Sequence, residues 1–297
     1  MSNIFLQSPF PQFPKTRTPL PKQYAEIYES YYKSNRNGDT AASGAAQKME
    51  RWLHRKVAND TRGLRGNRTL EIGGGTLNQL HFERDFSHYD VIEPFSALYS
   101  DSPNLHKVRK IYADISEVAS ELHIQNGGGE LDKNFTLNSK NSALDAKDSI
   151  DSALNSSDSA LDLATKPQNT PKLYHRIISC AVLEHILDLP SVVATACLLL
   201  DDDGVFSASI PSQGRFLWTL GYKATTGLEF RLKYGLNYDV IMDYEHCNNQ
   251  REIIAVCAHF FGNVRKSLFG ICDELSLYTH LSCRAPHKSR AMAYLGI

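Results

Sequence analysis

The chain has 297 residues, with 32 Lys and Arg against 33 Asp and Glu for a formal charge of −1. That length accommodates one large α/β domain with appendages and a sizeable core, and the balanced charge supplies no global attraction to nucleic acid or an anionic membrane. Six cysteines without a CxxC pair point to reduced thiols in a cytoplasmic protein, and the opening Met1-Ser2-Asn3-Ile4-Phe5-Leu6 has neither the basic start nor the apolar run of a signal peptide or membrane span.

In chain order, residues 1 to about 22 carry Pro9, Pro11, Pro14, Pro19 and Pro21. Each removes a backbone donor and disfavours helix at the residue before it, which predicts an extended arm over the surface. Helical spacing predicts one helix over 23–32 and another over 41–57, the second presenting Met49, Trp52 and Leu53 as an apolar stripe. Residues 1–60 therefore read as an arm with helices, and 61–297 as the main domain.

That domain opens with a strand over 68–72, a glycine turn, a helical pattern and a second strand over 88–93, the first strand-helix-strand unit of a parallel sheet. A third strand is expected over 107–112. Residues 126–171 contain Gly127-Gly128-Gly129 and then short units beginning Ser142-Ala143-Leu144, Ser152-Ala153-Leu154 and Ser159-Ala160-Leu161. With few large apolar residues to offset ordering entropy, this tract reads as a low-complexity, disordered insertion.

Regular patterning resumes with a strand over 173–180, a helix running to Leu200, a turn at Asp203-Gly204 and a strand over 205–210. An aromatic stretch over 211–250 is a candidate substrate lid, offering Phe216, Trp218, Tyr222, Phe230, Tyr234, Tyr238 and Tyr244 as apolar faces, some with hydroxyl handles. A helix over 251–261 and strands over 264–271 and 275–284 complete the expected α/β, doubly wound, mostly parallel sheet.

Chemistry concentrates at strand ends. Gly73, Gly74 and Gly75 follow the first strand directly, where glycine lets the backbone turn tightly and approach a ligand. The run is not GxGxxG, because Asn78 holds the third position, and Glu71 stands where dinucleotide dehydrogenases prefer an apolar residue. Glu93 ends the second strand, placed to accept from a ribose diol, a group that NAD and adenosyl cofactors share.

Four ordered segments, Leu70-Glu71-Ile72-Gly73-Gly74-Gly75-Thr76, Val91-Ile92-Glu93-Pro94, Ala113-Asp114-Ile115 and Ser179-Cys180-Ala181-Val182-Leu183-Glu184-His185, resemble the successive motifs of class I S-adenosylmethionine-dependent methyltransferases. The resemblance spans about residues 65–286 outside the insertion. It implies a Rossmann-like, seven-stranded sheet with an antiparallel last strand, and S-adenosyl-L-methionine as cofactor. It further implies that Glu71 and Gly73 hold the methionine end, Gly74 and Gly75 form the close-approach loop, Glu93 grips the ribose, Asp114 accepts from the adenine amino group, Ile115 packs on the ring, and Ala181 and Val182 line the sulfonium side. Leu77 departs from the family, in which many members have a small residue there.

Methyl transfer from a sulfonium needs alignment, desolvation and, for a hydroxyl acceptor, loss of a proton, so no strict catalytic constellation is required. His185, beside the fourth motif, and His246, with Glu245 adjacent, are the candidate bases. No His, Cys, Asp and Glu cluster has metal-ligand spacing, and no metal is expected. The expected activity is O- or N-methylation of a small molecule, sugar-derived metabolites included. With no basic run and no Asn-Pro-Pro-Tyr-like motif, a nucleic-acid acceptor is not expected, while a homodimer is compatible with the lid. The alternatives are a catalytically silent methyltransferase-like binding protein and an NAD-dependent oxidoreductase.

Overall fold

A computed structural model describes residues 8–28, 44–122 and 173–297; the predicted insertion over 126–171 lies outside them. Seven strands, β1 (Thr69–Ile72), β2 (Tyr89–Ile92), β3 (Lys110–Tyr112), β4 (Tyr174–Cys180), β5 (Leu200–Pro211), β6 (Phe261–Gly270) and β7 (Ser276–Pro286), form one sheet in the order β3-β2-β1-β4-β5-β7-β6. The first five are parallel, and β7 runs antiparallel to both β5 and β6. The expected doubly wound α/β sheet is therefore what the chain builds.

Strands β1 and β2 bury every residue, as central strands covered on both faces must. On one face, α2 (Ile115–Glu121), α3 (Leu189–Leu199), α7 (Gln250–Phe260) and α8 (Lys288–Leu295) pack over Leu70, Ile72, Ile92 and Ile177. On the other, Val57 of α1 (Gly44–Ala58) meets Leu77, Leu80, Tyr89, Val91 and Ile178. Adjacent residues of one strand, Val91 and Ile92 or Ile177 and Ile178, thus face opposite layers, as the strand period of two requires.

The chain leaves β1 toward β2 and β3 on one side, then returns to add β4 and β5 on the other. This reversal puts a topological switch between β1 and β4, whose carboxyl ends form the rim where open α/β sheets place ligands.

Four local expectations are corrected. The helical pattern after the glycine loop yields only a 3-10 turn, Asn78–His81, entered through a left-handed Leu77 (φ 64°). The Asp203-Gly204 turn lies inside β5: the β4 to β5 register jumps from Tyr174↔Leu200 to Arg176↔Val205, so residues 201–204 bulge. β3 shrinks to three residues behind a 3-10 turn at Leu105–Lys107. The described part of the proline-rich arm, residues 8–22, is mostly exposed as expected, but it is pinned by two aromatics buried in the core.

That anchoring has a simple cause. Phe10 and Phe13 bracket a turn closed by the Phe13 amide on the Phe10 carbonyl at 3.1 Å, and both are buried in the cluster beneath α3, α7 and α8. The Phe10 ring lies 5.2 Å from His259 and 6.1 Å from Tyr294. Lys15 fixes the next turn, donating its amide to the Leu187 carbonyl at 2.9 Å and its ammonium to Glu252 at 2.6 Å. Residues 22–28 are helical and α1 begins at Gly44, near the two helices predicted, while α8 was not anticipated.

The six cysteines are all free, and among the described residues no helix is long and apolar enough to cross a membrane. Truncating Phe10 to Ala empties a ring-sized space at the arm's anchor, and the expected loss is about 3 kcal/mol of unfolding free energy in a urea titration. A loss below about 0.5 kcal/mol, the usual size of a surface substitution, would mean that the arm is no part of the folded core.

Candidate functional site

The glycine loop is shaped by what lies beneath it. A Cβ on Gly73 (φ 75°) would come within 2.4 Å of Val182 Cγ2, and one on Gly74 within 2.3 Å of Val91 Cγ1, so neither position tolerates a side chain without displacement. Gly75 (φ 51°) is different: a Cβ there meets nothing within 4 Å. Two glycines are demanded by packing, and the third faces open space at the rim.

Glu93, at the end of β2, ties this loop down. Its Oε2 accepts the Gly75 amide at 2.8 Å and its Oε1 accepts the Phe95 amide at 3.0 Å, while the side chain is buried. Each carboxylate oxygen retains acceptor capacity beyond these bonds. Phe95 itself is 38% exposed beside Glu93, an apolar surface that the motif pattern did not single out.

Asp114, one strand further out, accepts the Ser116 amide at 2.8 Å and so caps α2. Ile115 behind it is fully buried in the core, whereas Ala113 is exposed on the rim. Across the switch point, Ala181 is exposed in a left-handed conformation (φ 54°), its amide bonded to Ser209 O at 2.7 Å, and half-buried Val182 rests under Gly73. A non-glycine residue held at positive φ is a local strain that the β4 end maintains.

Glu71 lies lower, fully buried, with Oε2 accepting from the Tyr89 hydroxyl at 2.8 Å. Burial pushes its carboxyl up to about 8, against the opposing effect of the Tyr89 bond. Nearby, buried Arg176 and Glu83 pair at 2.5 Å. Glu71 therefore supports the loop from within the sheet.

The two candidate bases, remote in sequence, are brought together: the His185 and His246 rings stand 4.8 Å apart, edge to face. Glu184 joins them, with His185 Nε2 at 3.8 Å from Glu184 Oε1. The expected pairing of His246 with Glu245 is replaced. His246 Nδ1 meets Gln213 Oε1 at 3.0 Å, and Glu245 offers its backbone oxygen to His185 Nδ1 at 2.8 Å. Burial, then the neighbouring His185, lowers His246 to about 3, and burial raises Glu184 to about 8.

Asn248 clamps the two segments together. Its Nδ2 donates to the carbonyls of Leu183 (2.9 Å) and Ile186 (2.6 Å), and its amide donates to Glu184 O at 3.0 Å. An asparagine two residues after a histidine carries no spacing signal for such a clamp.

Most lid aromatics hold the lid itself. Trp218, Phe230 and Tyr238 are buried with Ile241 and Met242, from α4 (Phe216–Tyr222), α5 (Leu228–Tyr234) and α6 (Asp239–Glu245), and Tyr24 from the N-terminal helical segment completes the cluster. Tyr222 donates to Asp239 at 2.7 Å, Tyr244 packs on Tyr28, and Phe216 is exposed. Trp218 approaches the histidines, its ring 5.9 Å from His246. A separate cavity of about 570 Å³ among Lys223, Arg231, Asn237 and Asp239 shares no lining residue with the rim.

No protein-family model matches the chain, and no curated protein matches it in sequence. Among solved structures, an O-methyltransferase family protein from Burkholderia thailandensis is similar at TM-score 0.47 and 11% identity, over 94% of this chain and 68% of that one. A SAM-dependent methyltransferase from Thermotoga maritima aligns at TM-score 0.44 and 10% identity, over 89% and 98%. The plantazolicin methyltransferase BpumL, in complex with a pentazolic desmethylPZN analog and SAH, aligns at TM-score 0.49 and 10% identity, over 88% and 93%.

The raised Glu71 carboxyl has a thermodynamic consequence. The folded protein binds this proton more tightly than the unfolded chain, whose carboxyl titrates near 4.5, so the group's contribution to stability is full below that value and is lost as pH rises through about 8. Glu71→Gln keeps an oxygen for the Tyr89 hydroxyl and removes the titration. Its unfolding free energy relative to the parent is expected to rise steadily between about pH 5 and pH 8. A constant difference across that range in denaturant titrations would contradict the buried, protonated carboxyl.

Proposed function

We propose that the chain is an S-adenosylmethionine-dependent methyltransferase that acts on an oxygen or nitrogen of a small-molecule acceptor. The observation carrying this reading is one juxtaposition at the rim. Gly75 faces open space, and the buried carboxylates of Glu93 and Asp114 end adjacent parallel strands beside it.

These residues fit the proposed cofactor. Backbone at Gly75 leaves room that a side chain would fill, which suits close approach of an amino-acid moiety. Glu93 has acceptor capacity for a ribose diol, and Asp114 for an exocyclic amine, with exposed Phe95 offering an apolar face beside Glu93. Glu71 and Gly73 are proposed to act at the methionine end through the loop they support. Gly74 sets its depth, and Ile115 forms the floor beneath the base rather than a free face, being already covered by the core. Exposed Ala181 and half-buried Val182 would border the reacting end, the left-handed Ala181 directing the chain past it.

When bound, the cofactor supplies a methyl group already activated on a sulfonium. The protein's own part is to align the acceptor, exclude water and relieve a hydroxyl or ammonium acceptor of its proton. Glu184 and His185 follow the Ala181-Val182 segment closely in sequence and His246 packs on His185, which puts all three on the proposed acceptor side. His246, held neutral by burial, is a weak base by itself. The lid, with Trp218 beside His246, covers this side and would set acceptor size.

Calorimetric titration with S-adenosylhomocysteine tests the reading. The parent protein is expected to bind in the micromolar range, Glu93→Ala and Asp114→Ala to bind at least about tenfold more weakly, a loss of about 1.4 kcal/mol, and NAD not to bind. Absence of S-adenosylhomocysteine binding, or binding of NAD in its place, would overturn it.

A further inference from the structure

We propose that Glu184, His185 and His246 form a binding site for one divalent first-row transition ion. A donor atom from each side chain lies within 4.8 Å of those of the other two. Tetrahedral bonds of about 2.0–2.1 Å place donors about 3.3–3.4 Å apart, so shared ligation needs the three to close by about 1.5 Å at most, within the reach of side-chain rotation.

Three features distinguish this from a chance gathering of polar groups. The first is the orientation of the rings. A carbonyl only accepts, so Glu245 O at 2.8 Å fixes the proton of His185 on Nδ1 and leaves Nε2 as the lone-pair nitrogen directed at Glu184. His246 is oriented the same way: its Nδ1 donates to Gln213 Oε1, and that amide is itself set by its Nε2 reaching His246 O at 3.5 Å. Histidines that ligate metals are held by this kind of second hydrogen bond.

The second feature is Glu184, whose side chain is 2% exposed and whose Oε2 has no hydrogen-bond partner. A buried carboxylate oxygen left unpaired is costly, and a cation in the cluster satisfies it. The third is rigidity. Asn248 bonds to Leu183 O, Glu184 O and Ile186 O, and Arg17 donates to His185 O at 2.9 Å, so the backbone carrying Glu184 and His185 is fixed from both the lid and the arm.

Two imidazoles and one carboxylate select the ion class. Magnesium and calcium prefer all-oxygen shells, whereas zinc, iron, nickel and copper suit imidazole, and a two-histidine, one-carboxylate set leaves coordination positions open. Where the acceptor is a hydroxyl compound, as the preceding section proposes, an ion there would lower the hydroxyl's pKa and reduce the demand on a protein base. Ion binding itself does not depend on that reading.

The test uses the full chain, stripped with a chelator and titrated with Co²⁺ and separately with Zn²⁺ by visible absorption and calorimetry. The expected result is a single tight equivalent, a cobalt spectrum of nitrogen and oxygen ligation without thiolate charge-transfer bands, and no comparable binding of Mg²⁺. Glu184→Gln and His246→Gln should each weaken Zn²⁺ by more than tenfold. Gln213→Leu, which removes the amide that holds the His246 ring, should weaken it by about tenfold with a thermal midpoint in chelator within about a degree of the parent's. No bound equivalent in the parent chain, a thiolate spectrum, or affinity indifferent to Gln213→Leu and Glu184→Gln would overturn the site. S-adenosylhomocysteine binding to the stripped protein, measured alongside, reports separately on the methyltransferase reading.

Discussion

The bond between the Glu93 carboxylate and the Gly75 amide organises the rim of the sheet. It joins the loop after β1 to the end of β2, and it can form only because Gly73 and Gly74 sit low enough against Val182 and Val91 to bring the third glycine within reach. A side chain at either packed glycine would lift the loop and break the bond. The loop's shape therefore couples three neighbouring strand ends, β2 through Glu93, β1 through the glycines and β4 through Val182. Packing dictates two of the glycines, and open space beside the third is where a ligand can approach.

A second constraint acts on the far side of the switch point. Asn248 holds the turn after β4 against the entrance to α7, and the arm reinforces it through Lys15 and Arg17. Lid and arm thereby meet on the same turn that presents Glu184 and His185. Because Phe10 and Phe13 anchor the arm in the core, that meeting point is tied to the stability of the domain as a whole. The division of labour follows: the β1 to β3 side offers carboxylates and open backbone, and the β4 side offers imidazoles and a buried carboxyl.

Much of this was legible from the residues in order. Buried strands announce themselves as short apolar runs, so β1, β2, β4 and β7 fell near their expected places, while Glu93 was singled out by its strand end and Asp114 by the family resemblance. What escaped depended on partners distant in sequence. The bulge in β5 is a property of register with β4, not of Asp203-Gly204 alone. Leu77 and Ala181 adopt left-handed backbone because their surroundings hold them there, which no local propensity predicts. His246 stands beside Glu245 in sequence, but its ring is set by Gln213, and the proximity of His185 comes from bonds between distant segments, the Asn248 clamp and the Glu245 carbonyl among them. In the arm, the proline pattern was silent about the turn at residues 10–13 and the aromatic anchors that flank it.

Hydrogen exchange of the full chain with and without S-adenosylhomocysteine tests the central claim, that the rim around the switch point is the cofactor site. Ligand-dependent protection is predicted in peptides covering residues 73–77, 93–96, 113–116 and 181–185. Protection confined to the lid cavity over 223–239, or none at the strand ends, would contradict it.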